Sequence, residues 1–152
     1  MRNLTNEEKI KRLNHYKENW DHFIECECGL KTWSGMRLII DSVQNNKRTS
    51  VRACHGISKT LSGGAIAIAF LNLYWPSIII TTAPTNTQVK NLLWKEIGGV
   101  YRKNPGLIGK CNMQEIRVAP DYYMIGFSTD KPYRMEGFHD ANILWILDEA
   151  KD

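Results

Sequence analysis

Several features that would place this chain in a specialised class are missing from its sequence. Its longest apolar run, "AIAIAFLNLYWPSIII", is interrupted by Asn72, Pro76 and Ser77, so it is shorter than the roughly 20 apolar residues of a membrane-spanning helix. We find no internal repeat and no low-complexity tract. The four cysteines follow no disulfide framework, and no cationic and apolar leader precedes them. These absences favour a cytoplasmic protein with reduced thiols and no membrane partner.

The composition suits a globular core. The chain has 152 residues, of which 43% are hydrophobic, enough for a single domain or part of one. Lys and Arg total 20 against 16 Asp and Glu, and the resulting net charge of +4 permits a nucleic-acid partner without requiring one. A zinc site at His22, Cys26 and Cys28 lacks a second ligand pair, so thiols packed as small apolar groups are favoured.

The first half of the chain predicts helices and then a strand. Thr5 stands three residues before Glu8, the spacing of a capping box that starts a helix. A turn is expected at Gly29, and "SGMRLIIDSVQNN" predicts a second helix. A short strand over "TSVRAC" follows. The next helix, "LSGGAIAIAFLNLYW", is apolar almost all round and must be covered on both sides.

The second half alternates strands with a helix. "SIIITTA" has the continuous apolar pattern of a strand inside a parallel sheet. "PTNTQVKNLLWKEIGGVYRKN" predicts an amphipathic helix with a buried stripe of Val89, Leu92, Leu93, Ile97, Val100 and Tyr101. "QEIRVAPDYYMIGFS" predicts two strands around a turn at Pro120 and Asp121, and "ILWILDEAKD" predicts a last buried strand. We therefore expect an α/β layered domain with a mostly parallel sheet.

The segment "VRACHGISKT" has the context of a phosphate-binding loop, because it lies between a predicted strand and a helix. Such a loop needs converging backbone N–H groups, the positive end of a helix, a lysine and a hydroxyl. Lys59 would reach the β and γ phosphates of a nucleotide, and Thr60 would ligate Mg²⁺. The surrounding loop would be Ala53, Cys54, His55, Gly56, Ile57 and Ser58.

Two positions of this loop depart from the usual pattern. Ala53 and Ser58 stand where the two signature glycines of such a loop belong. Ala53 is a small change, whereas Ser58 is free of strain only if its φ is negative. A Lys-Thr pair at the start of a helix is also common without any ligand.

A second motif lies at the end of the last predicted strand. In "ILWILDE", apolar residues lead directly to Asp148 and Glu149, which would emerge at the carboxyl end of a strand, where α/β sheets bind ligands. Asp148 would hold Mg²⁺, and Glu149 would polarise an attacking water. Acids after a strand often only cap a following helix. The two motifs in this order nevertheless predict one site for ATP and Mg²⁺.

Four segments together resemble a known family. "YKENWDHFIECECGLKTW", "VRACHGISKT", "IIITTAPTNTQVKNLLWKEI" and "EGFHDANILWILDEA" are similar, in this order and spacing, to the ATPase half of the large terminase subunit of tailed bacteriophages and prophages. The resemblance runs from about Tyr16 to the last residue. It implies an ATP-driven motor that packages double-stranded DNA in a bacterial host cell, with the small terminase subunit and the portal as further partners.

The resemblance also implies a fold and a domain organisation. We expect a three-layer P-loop NTPase of the additional-strand class with a mostly parallel sheet, incomplete at the C-terminus. Residues 1–47 would form a helical region, and residues 48–152 a P-loop core that stops after the strand bearing Asp148. The family's additional strand and nuclease domain would be absent, and an oligomer is expected only at full length.

Further roles come from the resemblance alone. Arg52 matches a basic residue near the family's loop, for either charge stabilisation during catalysis or packing at a strand end. The segment "TAPTNTQ" matches one that senses nucleotide or touches DNA, which implicates Thr82, Thr85 and Gln88; helix capping by Thr85 is the alternative. In the predicted polar loop, His139 would either form a hydrogen bond near the site or be a satisfied loop histidine, and Arg134 would either reach a neighbouring subunit's phosphate or be solvated.

Two other functions remain open. Ser34 occupies the position of a glutamine that reads adenine in relatives, and Ser58 replaces a glycine, so a catalytically weak or inactive nucleotide- or DNA-binding remnant of a prophage terminase is one alternative. A helicase-like ATPase is the other, although "EGFHDAN" favours a terminase.

Overall fold

The N-terminal part of the protein is helical in the computed structural model, which describes residues 4–52, 58–129 and 142–148. Helix α1 spans Asn6–Glu18, α2 spans Trp20–Glu27, and α3 spans Ser34–Asn45. Before α1, the Thr5 hydroxyl accepts the N–H of Glu8, and the Glu8 carboxylate accepts the N–H of Thr5. The predicted capping box is therefore confirmed, and so is the turn at Gly29, whose φ is 64°.

In the described part of the chain, five strands form one mixed sheet. They are β1 (Ile78–Ala83), β2 (Lys110–Cys111), β3 (Glu115–Ala119), β4 (Tyr122–Ser128) and β5 (Ile143–Leu147), in the spatial order β2-β3-β4-β1-β5. Strand β1 lies between β4 and β5 and runs parallel to both. The pairings of β2 with β3 and of β3 with β4 are antiparallel.

The predicted three-layer P-loop NTPase fold with a mostly parallel sheet is wrong. Two of the four strand pairings among the described residues are antiparallel. The tight turn at Pro120 and Asp121 sends the chain straight back along β3 and accounts for one of them. The predicted strand over "TSVRAC" does not form in its described part, residues 49–52, and Val51 is 40% exposed there. A central strand would have buried that side chain.

The layers also differ from the expectation. The main hydrophobic cluster joins the described helices to one face of the sheet, through residues such as Ile79, Met124 and Ile146. A second, smaller hydrophobic cluster lies on the other face of the sheet. Its described members are all strand residues, among them Ile78, Ile80 and Phe127. The described helices therefore stack on one side of the sheet.

Helix α4, Lys59–Leu73, is the central element of this stack. Nine of its 15 residues are buried. The sheet covers one side, where Gly63 approaches Ile146, and α1, α2, α3 and α6 (Trp94–Lys103) cover the rest. The expectation that this apolar helix is covered on both sides is confirmed. Within the described ranges, no helix is long and apolar enough to cross a membrane.

The segment after β1 changes helix type on its way to α6. A short helix, α5 (Asn86–Gln88), runs into a π-helical turn over Val89–Leu93 and then into α6. Five members of the predicted stripe are buried, but the prediction for Leu92 is wrong, because its side chain is 47% exposed. A π turn holds an extra residue and so rotates the residues around it. Trp94 is buried instead, with 3% exposure.

Trp94 joins α6 to the centre of the sheet. Its Nε1 donates a hydrogen bond to Thr81 Oγ1 at 2.9 Å, and the Thr81 hydroxyl donates to the Ile125 carbonyl at 3.1 Å. The indole lies against Gly126, where a Cβ atom would stand 2.0 Å from Nε1. Only glycine leaves room for the ring at this position of β4.

We therefore expect Gly126→Ala to lower the free energy of unfolding by about 1–3 kcal/mol, the usual effect of overpacking a core. Urea denaturation of the purified chain would measure it. Gly106→Ala is the matched control, because a Cβ atom there would meet no atom within 4 Å. Equal losses in the two variants would contradict the packing described for Trp94.

Candidate functional site

The two predicted motifs meet in the structure. The Thr60 hydroxyl donates a hydrogen bond to Asp148 Oδ2 at 3.3 Å, although the residues are 88 positions apart in the sequence. Both side chains are half-buried. Thr60 lies in the first turn of α4, directly after Lys59, and Asp148 directly follows β5. Asp148 therefore lies against the first turn of α4, and Lys59 is one residue from this contact rather than on the opposite rim of the molecule.

The position of Asp148 is set by the parallel pairing of β5 with β1. The Asp148 N–H donates to the Thr82 carbonyl at 2.8 Å, which continues the ladder one residue beyond β5. The carboxylate consequently emerges at the carboxyl end of two parallel strands. The first turn of α4 faces the same edge, and its N–H groups carry the positive end of the helix dipole. This arrangement suits an anion with an associated cation.

Ser58 has a left-handed backbone conformation that glycine adopts more readily than serine. Its φ is 45° and its ψ is 32°, in the left-handed region. Its carbonyl accepts both the N–H and the hydroxyl of Ser62, at 2.9 and 3.0 Å, which anchors the start of α4. A non-glycine residue in this conformation costs about 1–2 kcal/mol. The condition of a negative φ for Ser58 is thus not met.

Thr82 has a buried hydroxyl that makes no hydrogen bond to any described residue. Its side chain is 1% exposed. The preceding Thr81 is also buried, but its hydroxyl both accepts from Trp94 and donates to Ile125. The two threonines point to opposite faces of β1. Of these two hydroxyls, only that of Thr82 lacks a hydrogen bond to a described residue.

Two further residues of the predicted site, Thr85 and Gln88, form hydrogen bonds with each other. The Thr85 hydroxyl accepts the Gln88 N–H at 3.2 Å, and the Gln88 side chain accepts the Thr85 N–H at 3.1 Å. They form a capping box at the start of α5, so the capping alternative for Thr85 is confirmed as a contact. Their role in sensing nucleotide or touching DNA stays a prediction.

The remaining predicted positions are less informative. Arg52 is exposed, and Ser34 is the exposed first residue of α3. Nothing in these two environments assigns either residue to a ligand. The other predicted residues lie outside the described part of the chain: Ala53, Cys54, His55, Gly56, Ile57, Arg134, His139 and Glu149.

The oxygen donors at the site fit Mg²⁺ better than a softer metal. Mg²⁺ in nucleotide sites takes one or two protein oxygens and completes its shell with phosphate and water. Adjacent ligands of an octahedral ion with bonds of about 2.1 Å lie about 3 Å apart, close to the 3.3 Å between Thr60 Oγ1 and Asp148 Oδ2. The described residues contain no group of three or more His, Cys, Asp or Glu side chains arranged for a metal.

The cysteines and histidines near α2 have structural contacts. His22 Nδ1 lies 2.7 Å from His15 Nε2, so the two rings share a hydrogen bond. Cys28 is buried, and this burial raises the pKa of its thiol to about 12. Cys26, by contrast, is exposed. A thiol held protonated in an apolar setting is a poor zinc ligand.

Comparison with known proteins adds no identification. No protein-family model matches the chain, and no curated protein matches it significantly.

The strain at Ser58 leads to a stability prediction. We expect Ser58→Gly to raise the free energy of unfolding by about 1 kcal/mol, because glycine adopts positive φ without a Cβ clash. Ser58→Ala is the control. It keeps Cβ and removes only a hydroxyl that makes no capping hydrogen bond to α4. Thermal unfolding would compare the variants, and a glycine variant no more stable than the alanine variant would contradict the strained conformation.

The two threonines of β1 make a second pair of test positions. Thr82→Val keeps the side-chain shape and removes an unsatisfied hydroxyl, so we expect it to raise the free energy of unfolding by about 1 kcal/mol. Thr81→Val should lower it by about 1–2 kcal/mol, since Trp94 Nε1 loses its acceptor. Chemical denaturation would measure both changes, and shifts of the same sign would show that the contrast between the hydroxyls is not real.

Proposed function

We propose that the chain binds ATP with Mg²⁺ and hydrolyses it, as the ATPase part of a viral DNA-packaging motor of the large terminase type. The contact between Thr60 and Asp148 supports this proposal most directly, because it joins the lysine-hydroxyl motif to the acidic motif at one edge of the sheet. The resemblance of four segments to terminases supplies the biological role. Double-stranded DNA, the small terminase subunit and the portal would be its partners in the bacterial cytoplasm.

Each motif residue has a role that follows from its chemistry. Lys59 would neutralise the β and γ phosphate oxygens, next to the positive end of α4. Thr60 and Asp148 would hold the Mg²⁺, which would neutralise phosphate charge when bound. Glu149 would accept the proton of the water whose oxygen attacks the γ phosphorus, while the bond from that phosphorus to the ADP oxygen breaks. The loop from Ala53 to Ser58 would donate N–H groups to phosphate oxygens, and Arg52 would stabilise the transferred charge.

The strained backbone at Ser58 favours the second candidate, a catalytically weak remnant that still binds nucleotide. A left-handed serine holds the loop end in a glycine-like conformation at a cost that glycine would avoid. If the loop relaxes to remove this strain, the lysine beside it moves with it. Binding and turnover therefore have to be measured separately.

We expect Mg²⁺-dependent ATP binding by the purified chain, measured by isothermal titration calorimetry. Lys59→Ala should weaken binding at least about tenfold, because one charge-assisted hydrogen bond to phosphate contributes about 1.5–3 kcal/mol. Thr60→Val should remove most of the Mg²⁺ dependence. Glu149→Gln should keep binding and reduce turnover about 10²–10⁴-fold, the usual effect of losing a general base.

Lys11→Ala is the matched control, since Lys11 is an exposed lysine of α1 away from the site. It should bind and hydrolyse ATP like the unmodified chain. Binding that survives Lys59→Ala unchanged, or no binding at all, would refute the nucleotide site. Normal binding with turnover that is nil in every variant would identify the remnant.

A further inference from the structure

We propose that a groove between α6 and the β2 edge of the sheet binds the phosphate backbone of a nucleic acid. The groove has a volume of about 810 Å³ and is lined by residues of the π-helical turn, α6 and the segment from Asn104 to Met113. It is a surface separate from the contact between Thr60 and Asp148. The proposal rests on the proposed function only for the choice of double-stranded DNA as the first probe.

All the charged side chains that line the groove are positive. Lys90, Lys95, Arg102 and Lys110 line it, and no Asp or Glu is among its lining residues. All four cations are exposed, and none of them forms an ion pair with a described residue. Elsewhere in the described chain, the arginines Arg12, Arg37 and Arg117 are paired with carboxylates. The groove therefore carries four positive charges that no described carboxylate pairs.

The cations form a row rather than a point. Lys95 and Arg102 are seven positions apart on α6, which places them on one face two turns from each other. From Lys95 to Arg102 the row runs roughly 10 Å at a helical rise of about 1.5 Å per residue. This length is about three times the 3.4 Å axial spacing of charges on one DNA strand, so the two cations can contact different phosphates. A single small anion would need converging cations, so the spacing favours a polymer with regular charges.

The neutral residues of the groove suit contacts with phosphate rather than with bases. Asn91 and Asn112 are exposed and carry amide donors for phosphate oxygens. The aromatic rings that line the groove, Trp94 and Tyr101, are buried and have no free face for stacking. Tyr101 already donates its hydroxyl to the Ile108 carbonyl. We expect binding without sequence preference.

The helix that carries the row is firmly supported. Trp94 anchors its first turn to Thr81, and Ile97 packs against Gly64 of α4, where a Cβ atom would lie 3.2 Å from the Ile97 side chain. The backbone beneath the cations is therefore fixed, while the long side chains above it stay adaptable. A rigid row of adaptable cations is what a repeated phosphate backbone requires.

The test measures binding of a fluorescent 20-base-pair DNA duplex of mixed sequence by anisotropy, without nucleotide and at several salt concentrations. Four phosphate contacts predict that the logarithm of the affinity falls with the logarithm of salt with a slope of about −3.6. The double variant Lys95→Gln with Arg102→Gln should bind about tenfold or more weakly, and its slope should be smaller by about 2. The charge-conserving Lys95→Arg should bind like the unmodified chain.

The matched control neutralises two exposed lysines of α1, Lys9→Gln with Lys11→Gln, and removes the same net charge. It should keep both the affinity and the slope. Equal losses in the two double variants, or no binding by the unmodified chain, would overturn the proposal. So would displacement of the duplex by polyglutamate at equal charge, because the groove would then bind an acidic peptide.

Single-stranded DNA and RNA serve as further probes, and weaker competition by them would identify the duplex as the ligand. If they compete as well as the duplex does, the phosphate backbone is still the recognised group. Calorimetry with ATP on the groove variants separates the two proposals. The groove variants should bind ATP normally, and Lys59→Ala should bind the duplex normally, so either proposal can fail without the other.

Discussion

The burial of helix α4 is the constraint on which the rest of the structure depends. A helix of 15 residues with almost no polar face has no stable place at a surface, so it has to be enclosed. The sheet encloses it on one side, and α1, α2, α3 and α6 enclose it on the other. Its N-terminus then has to meet the carboxyl ends of the strands beneath it, and this is where Thr60 reaches Asp148. The candidate site is thus a consequence of how one apolar helix is covered.

Local signals in the sequence predicted local structure well, and they failed where direction or register mattered. The capping box at Thr5 and the burial of α4 follow from side-chain chemistry and hydrophobic period. Strand direction, however, is set by the connections between strands, and the tight turn at Pro120 makes β3 and β4 antiparallel although strands and helices alternate along the chain. The predicted burial of Leu92 was wrong because the amphipathic pattern assumes an unbroken α-helix, whereas a π turn intervenes.

In the candidate site, too, the sequence predicted some features and not others. One motif lies at the start of an apolar helix, and the other directly follows an apolar strand. This order was enough to predict that Thr60 and Asp148 approach each other. The left-handed backbone of Ser58 could not be predicted from the sequence, because serine itself prefers negative φ. The unsatisfied Thr82 hydroxyl had no sequence signal, since Thr81 beside it is the same residue in a different environment. The spacing of Lys95 and Arg102 on one helix was a readable signal for the groove.

Strand β1 connects these two surfaces. Successive residues of a strand face opposite sides, and here Thr81 holds Trp94 of the groove helix, while the backbone of Thr82 holds Asp148. Because β1 is paired on both sides and fully buried, it has little freedom to deform. Any relative motion of the groove and the candidate site must therefore be absorbed next to β1 rather than within it.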